Sequence, residues 1–211
     1  MWAVGNHDLR NGNWHYIKNK TKRDFYYRHD FDNISVLVFN TLVEHPILKD
    51  SCDWKSTQVA FLQNELDHIQ NDNSVKVVVL FSHNPIWSDC ENDLLQYERI
   101  GNQNSAWVKL ECDTKNTFRT TFYPQILSMA QAGKKVIFVA GDGGQYDKTF
   151  YYRSQDDIEF YVTGINNSVK QTSDTSVVNR YNTNPDSVLI FTAMNTFPFL
   201  IGEFVPLNKI K

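Results

Sequence analysis

The chain has 211 residues, enough for one sizeable hydrophobic core, and we expect a single domain over residues 1–211. Apolar residues make up 41% and charged residues 21%, and the formal net charge is −3. This balance is ordinary for a globular protein and argues against nucleic-acid binding, which usually requires a strongly basic surface. The sequence holds no run of about 18 apolar residues, so we expect no membrane span.

The N-terminal part of the chain is predicted to form a strand end, a polar loop and a hairpin. Residues 1–4 are apolar and have the character of the end of a β-strand. Since a domain seldom begins inside a buried strand, we expect that sequence preceding Met1 has been lost. A polar loop follows to about Lys22, and two segments rich in aromatic and β-branched residues, 25–28 and 34–40, then predict a hairpin.

The next part is predicted to form a helix followed by a buried strand. Apolar residues recur at intervals of three and four, as on one face of an amphipathic helix: Val59, Leu62, Leu66 and Ile69. Ser56 and Thr57 are candidates for its N-cap, and the polar residues 71–73 mark its end. Residues 75–81 are almost continuously apolar, which is typical of a strand buried on both faces.

The C-terminal half is predicted to alternate between helix and strand before closing in hairpins. A long polar loop over 88–117 precedes a helix over 118–132, with Pro124 in its first turn and Gly133 as its terminator. A second buried strand is expected over 136–140. The remaining predicted strands are 149–153, 158–162, 188–193 and 199–205. This order fits an α/β sandwich.

Three of the predicted apolar strands end abruptly in short polar motifs. The first is followed by Asn6 and His7, the second by His83, and the third by Asp142. Because ligands of open α/β sheets bind at the carboxyl ends of the strands, parallel neighbours would bring these side chains to one edge. Their nitrogen and oxygen donors suit divalent Mn, Fe or Zn. The sequence therefore predicts a metal site at this edge.

Each motif by itself also has an ordinary structural explanation. A single histidine after a strand is commonly a structural residue, and Gly-Asn-His-Asp or Gly-Asp-Gly-Gly is commonly a turn. Only the occurrence of all three at successive strand ends favours the metal site. A serine hydrolase that uses Ser82 is a further alternative, but the G-x-S-x-G elbow is missing around this residue.

The motifs and their order resemble those of the calcineurin-like metallophosphoesterases, which include the purple acid phosphatases. Gly5-Asn6-His7-Asp8 matches the third of five ordered motifs in that family, and His83, followed by Pro85, matches the fourth. The helix pattern Gln58-x-x-Phe61-Leu62-x-x-x-Leu66 resembles the segment between them. The resemblance implies an α/β fold of two packed mixed β-sheets flanked by helices, here lacking its first strands.

The resemblance also implies a role for each matching residue. Asn6 and His83 would be metal ligands, and His7 would stabilise charge at the scissile phosphate or protonate the leaving oxygen. Asp8 would brace its own loop, and Asp142 would be a substitute metal ligand. The cofactors would be divalent ions (Mn, Fe, Zn or Mg), and the substrate a phosphoester. In the intact family, such cations clamp the phosphoryl oxygens during hydrolysis.

The chain departs from the family pattern in the first two motifs and in the fifth. The motifs D-x-H and G-D-x-x-D, which would supply further ligands, do not precede Gly5. Asp142 and Gly144 stand where the family has two histidines, and Gln145 or Asp147 would have to compensate for Gly144. We therefore expect little turnover by this chain. The alternative is a catalytically inactive relative that acts as a binding or interaction module, which would hold no stoichiometric divalent metal.

Overall fold

The computed structural model describes residues 3, 5, 14–22, 24–41, 51–88, 90–91, 118–143, 149–164 and 185–210. These residues form a mixed α/β fold. The helices are α1 (Trp14–Thr21), α2 (Ser51–Asn71), α3 (Phe118–Thr121) and α4 (Tyr123–Gln131). The strands are β1 (Tyr27–Phe31), β2 (Ile34–Val38), β3 (Val77–Ser82), β4 (Lys135–Ala140), β5 (Thr149–Arg153), β6 (Glu159–Thr163), β7 (Ser187–Ala193) and β8 (Leu200–Pro206).

Six strands form one mixed sheet in the order β1-β2-β3-β4-β6-β5. The four central strands, β2, β3, β4 and β6, run parallel, while β1 and β5 are antiparallel at the two edges. The central positions explain the nearly continuous apolar sequences of β3 and β4, because a parallel strand covered on both sides has no solvent face. Strands β7 and β8 form a separate antiparallel pair.

The two faces of the six-stranded sheet are covered by different layers. Along β4, Val136 and Phe138 point into the core beneath α2, α3 and α4, while Ile137 and Val139 point the other way. That second core is closed by the β7–β8 hairpin through Leu189, Phe191, Leu200 and Phe204. The sheet is therefore a middle layer, and its strand ends form the two rims of the molecule.

Most predicted elements are present within a few residues of their expected bounds. The hairpin, the two buried strands and the four later strands are confirmed. The predicted cap of α2 at Ser56 and Thr57 is wrong, because this helix already begins at Ser51. The polar loop expected up to Lys22 contains α1, and the helix expected over 118–132 is divided into α3 and α4. The predicted strand over 1–4 and the loop 88–117 lie largely outside the described residues.

The α/β class is confirmed, and the sheet arrangement agrees with the expected sandwich in its coarse form. One sheet is mixed and has six strands, and the smaller one has two antiparallel strands in the described part of the chain. The family-specific arrangement of two mixed sheets stays a prediction.

Candidate functional site

His83 and Asp142 follow neighbouring parallel strands at the same rim of the sheet. In the β3–β4 ladder Ser82 lies opposite Ala140, so the two chains leave the sheet side by side. The backbone N–H groups of Gly141 and Asp142 both donate to the carbonyl oxygen of His83, at 2.9 and 3.0 Å. The predicted convergence of these two strand ends is therefore present.

The side chains of His83 and Asp142 face each other across this rim. Nε2 of His83 is 3.7 Å from Oδ2 of Asp142. Their side chains are 17% and 26% exposed, so both are partly shielded from water, and the Nε2 atom of His83 is itself buried. An imidazole nitrogen and a carboxylate oxygen at this separation are too far apart for a direct hydrogen bond, but they can face a common cation.

Asn84 joins this pair to a third strand end. Its side chain is buried, and its Nδ2 donates to Oδ2 of Asp142 at 3.0 Å. Its Oδ1 accepts a hydrogen bond from the hydroxyl of Thr41, three residues beyond the end of β2, at 2.9 Å. The rim of β2, β3 and β4 thus holds one continuous set of polar contacts.

Sequence reasoning did not single out Asn84 or Thr41. The rule that identified His83 and Asp142, polar residues that follow buried parallel strands, applies equally to both. Thr41 comes shortly after the apolar residues of β2, and Asn84 directly follows His83. The signal was therefore present in the sequence, but residues that only form hydrogen bonds to a predicted site residue match no short motif.

The other predicted site residues lie outside the described residues. These are Asn6, His7 and Asp8 after the first predicted strand, and Gly144, Gln145 and Asp147 shortly after Asp142. Ala3 and Gly5 precede Asn6 in the chain. Ala3 packs against the core between the sheet and the β7–β8 hairpin, and Gly5 is buried. Whether Asn6 and His7 join His83 remains a prediction.

His83 and Asp142 are compatible with a shared divalent ion. Nitrogen and oxygen ligands of such ions lie about 2.0–2.2 Å from the metal, so two of them can be at most about 4.3 Å apart. The 3.7 Å between Nε2 and Oδ2 falls within this limit. Across the part of the chain that the structure describes, no group of three or more His, Cys, Asp or Glu side chains forms a complete site.

A cleft of about 690 Å³ lies at the opposite rim of the sheet. It is lined by residues at the amino ends of β4 and β6, including Lys135 and Glu159, and by part of β8. Burial and the nearby Glu159 carboxylate raise the pKa of Tyr161, which keeps this lining phenol protonated at neutral pH. This cleft is thus separate from His83 and Asp142.

Comparison of the chain with models of known protein families and with curated proteins finds no match. A functional assignment therefore depends on the residues themselves and on their arrangement. None of the helices in the described ranges combines the length and the apolar character needed to cross a membrane.

Proposed function

We propose that this protein is a metal-dependent phosphoesterase of the calcineurin-like kind. The observation that carries the proposal is the 3.7 Å approach of His83 Nε2 to Asp142 Oδ2 at the carboxyl ends of two parallel strands. The sequence motif Gly5-Asn6-His7-Asp8 supports it independently.

In this proposal the chain supplies metal-ligating atoms at one rim of the sheet, and the substrate binds next to them. His83 and Asp142 would hold one divalent cation, with Asn6 as a further ligand. Such a cation, Mn, Fe, Zn or Mg, would polarise and neutralise phosphoryl oxygens of a phosphoester. His7 would stabilise charge on the phosphate or protonate the leaving oxygen, as a histidine near neutral pH can do. Asp8 would brace the loop that carries both.

Metal binding is the primary test, because a site with few protein ligands is expected to hydrolyse its substrate slowly. We expect the protein to bind Mn²⁺ saturably in a titration followed by electron paramagnetic resonance. His83→Ala and Asp142→Ala should each weaken this binding by at least about tenfold, since each removes a direct ligand. His68→Ala is the matched control, because His68 is exposed near the end of α2.

Hydrolysis of p-nitrophenyl phosphate is the second readout. Whatever turnover occurs should require Mn²⁺, fall in His83→Ala and His7→Ala, and persist in His68→Ala. Absence of saturable Mn²⁺ binding by the folded wild-type protein would refute the proposal. Equal binding by the His83→Ala and His68→Ala variants would refute the assigned site.

A second candidate is a catalytically inactive relative that acts as a binding or interaction module. The position of the 690 Å³ cleft favours it, because this cleft lies at the rim opposite His83 and Asp142. In that case the wild-type protein would hold no stoichiometric divalent metal, so the Mn²⁺ titration separates the two candidates.

A further inference from the structure

The side chain of Asn84 links three strand ends through hydrogen bonds at both ends of its carboxamide. Oδ1 accepts from Thr41 Oγ1 at 2.9 Å, and Nδ2 donates to Asp142 Oδ2 at 3.0 Å. Asn84 is only 4% and Thr41 only 2% exposed, so water has little access to the contact between them, while the contact with Asp142 is partly buried. A buried polar side chain without such partners would cost about 1–3 kcal/mol.

The orientation of this carboxamide is fixed by the hydroxyl of Thr41. The backbone N–H of Asn84 donates to Thr41 Oγ1 at 3.0 Å, so this oxygen already accepts a hydrogen bond there. Its single proton is then directed to Oδ1 of Asn84. Rotating the carboxamide by half a turn would place Oδ1 against the carboxylate of Asp142 and lose the hydrogen bond to it. The NH₂ group is therefore held toward Asp142.

The backbone of Asp142 is fixed separately from its carboxylate. The N–H of Asp142 donates to the carbonyl oxygen of His83 at 3.0 Å, which sets where the residue lies but does not itself orient the side chain. The contact from Asn84 Nδ2 selects the rotation in which Oδ2 faces His83. A carboxylate oxygen has two acceptor positions, so Oδ2 can accept this hydrogen bond and still bind a cation.

We propose that Asn84, locked by Thr41, is a positioning residue that holds the carboxylate of Asp142 toward His83 and so sets the cation affinity of the rim. This inference rests on the proposed function, since it concerns the same site. Residues that orient a ligand from behind typically contribute about 10- to 100-fold to metal affinity. Asn84 thus needs no contact with the cation to control its binding.

The chain offers a comparison in Gln58, a second buried carboxamide, which holds the backbone of Asn40, the residue before Thr41. Gln58 is fully buried in α2, accepts from the backbone N–H of Asn40 at 2.7 Å and donates to the Asn40 carbonyl at 3.2 Å. It fastens the end of β2 to α2 and has no described contact with Asp142. This contact also explains the glutamine in the helix pattern that the sequence singled out.

The experiment measures Mn²⁺ dissociation constants and thermal midpoints for Asn84→Ala, Gln58→Ala, Thr41→Val and Thr41→Ser. Both alanine variants should lose stability, but only Asn84→Ala should weaken Mn²⁺ binding, by about 10- to 100-fold. Thr41→Val should weaken it in the same sense, because it frees the carboxamide to rotate. Thr41→Ser keeps the hydroxyl and should restore wild-type affinity.

The possible outcomes separate this inference from the proposed function. If the wild-type protein binds Mn²⁺ and Asn84→Ala binds it equally well, the positioning role is refuted and the proposed function stands. If the wild-type protein binds no Mn²⁺, both are refuted. Should Asn84→Ala fail to fold, the comparison of Thr41→Val with Thr41→Ser decides the question.

Discussion

Lys135 and Glu159 form a nearly buried ion pair between the neighbouring strands β4 and β6, and removing one partner should be costly. Nζ of Lys135 is 2.9 Å from Oε1 of Glu159, and the two side chains are only 9% and 10% exposed. The other carboxylate oxygen, Oε2, accepts a hydrogen bond from the hydroxyl of Tyr161 at 2.9 Å. The pair therefore balances a charge that has little access to water.

We expect Lys135→Met to lower the free energy of unfolding by about 3–5 kcal/mol, because it leaves the Glu159 carboxylate buried without its counter-charge. For a chain of this size this corresponds to a drop of about 6–20 °C in the thermal midpoint. The double variant Lys135→Met/Glu159→Gln should recover most of the loss. Its carboxamide oxygen still accepts from Tyr161, and no buried charge remains.

Urea unfolding followed by circular dichroism measures both variants against the wild-type protein. With a typical slope of about 2 kcal/mol/M, Lys135→Met should shift the midpoint by about 1.5–2.5 M. The result that would refute the reasoning is a double variant no more stable than Lys135→Met alone. That outcome would mean that packing of the lysine stem, and not the unbalanced carboxylate, accounts for the loss.

Two further predictions concern a close backbone contact and acid stability. A Cβ added at Gly202 would lie 2.8 Å from Cζ of Tyr161, whereas one at Gly141 meets nothing closer than 3.9 Å. Gly202→Ala should therefore lower the free energy of unfolding in urea by about 1–3 kcal/mol, and Gly141→Ala should lower it much less. Equal effects of the two substitutions would contradict this prediction. Hydrogen bonds from the hydroxyl and N–H of Ser74 lower the pKa of Asp72. The stability that this carboxylate supplies is therefore complete above about pH 4, and it is lost as the pH falls through the lowered pKa. Asp72→Asn should flatten the acid side of a stability–pH curve, and an unchanged curve would count against it.

The parts of the fold that sequence predicted well are those in which burial dictates the residues. The apolar runs of β3 and β4 have one explanation, a strand covered on both faces, and the sheet places both in its centre. The helix α1 was missed because Ile17 is its one described buried side chain, so it has almost no apolar periodicity. The interruption at Phe122 precedes Pro124, which lacks the N–H that a continuous helix would need.

The candidate site was predicted in part, for an equally physical reason. That His83 and Asp142 would meet follows from strand direction alone, because parallel neighbours bring their carboxyl ends together. The orientation of the Asp142 side chain does not follow from direction. It depends on the hydrogen bond from Asn84, 58 residues away in the chain, and Asn84 is itself held by Thr41, which is 43 residues from it. Pairings over such distances leave no periodic or local signal.

The carboxylates at the two rims of the central sheet have different partners, and this difference bears on where a cation would bind. At the amino ends, Glu159 is neutralised by Lys135, and Asp157 is paired with Arg153. A cation arriving at either of these two carboxylates would have to displace a protein cation that is already in place. At the carboxyl ends, Asn84 holds Asp142 with a neutral carboxamide, which directs the carboxylate without cancelling its charge. An orienting donor that leaves the charge intact is what a cation ligand requires, so the carboxyl rim is the better candidate although the cleft lies at the other one.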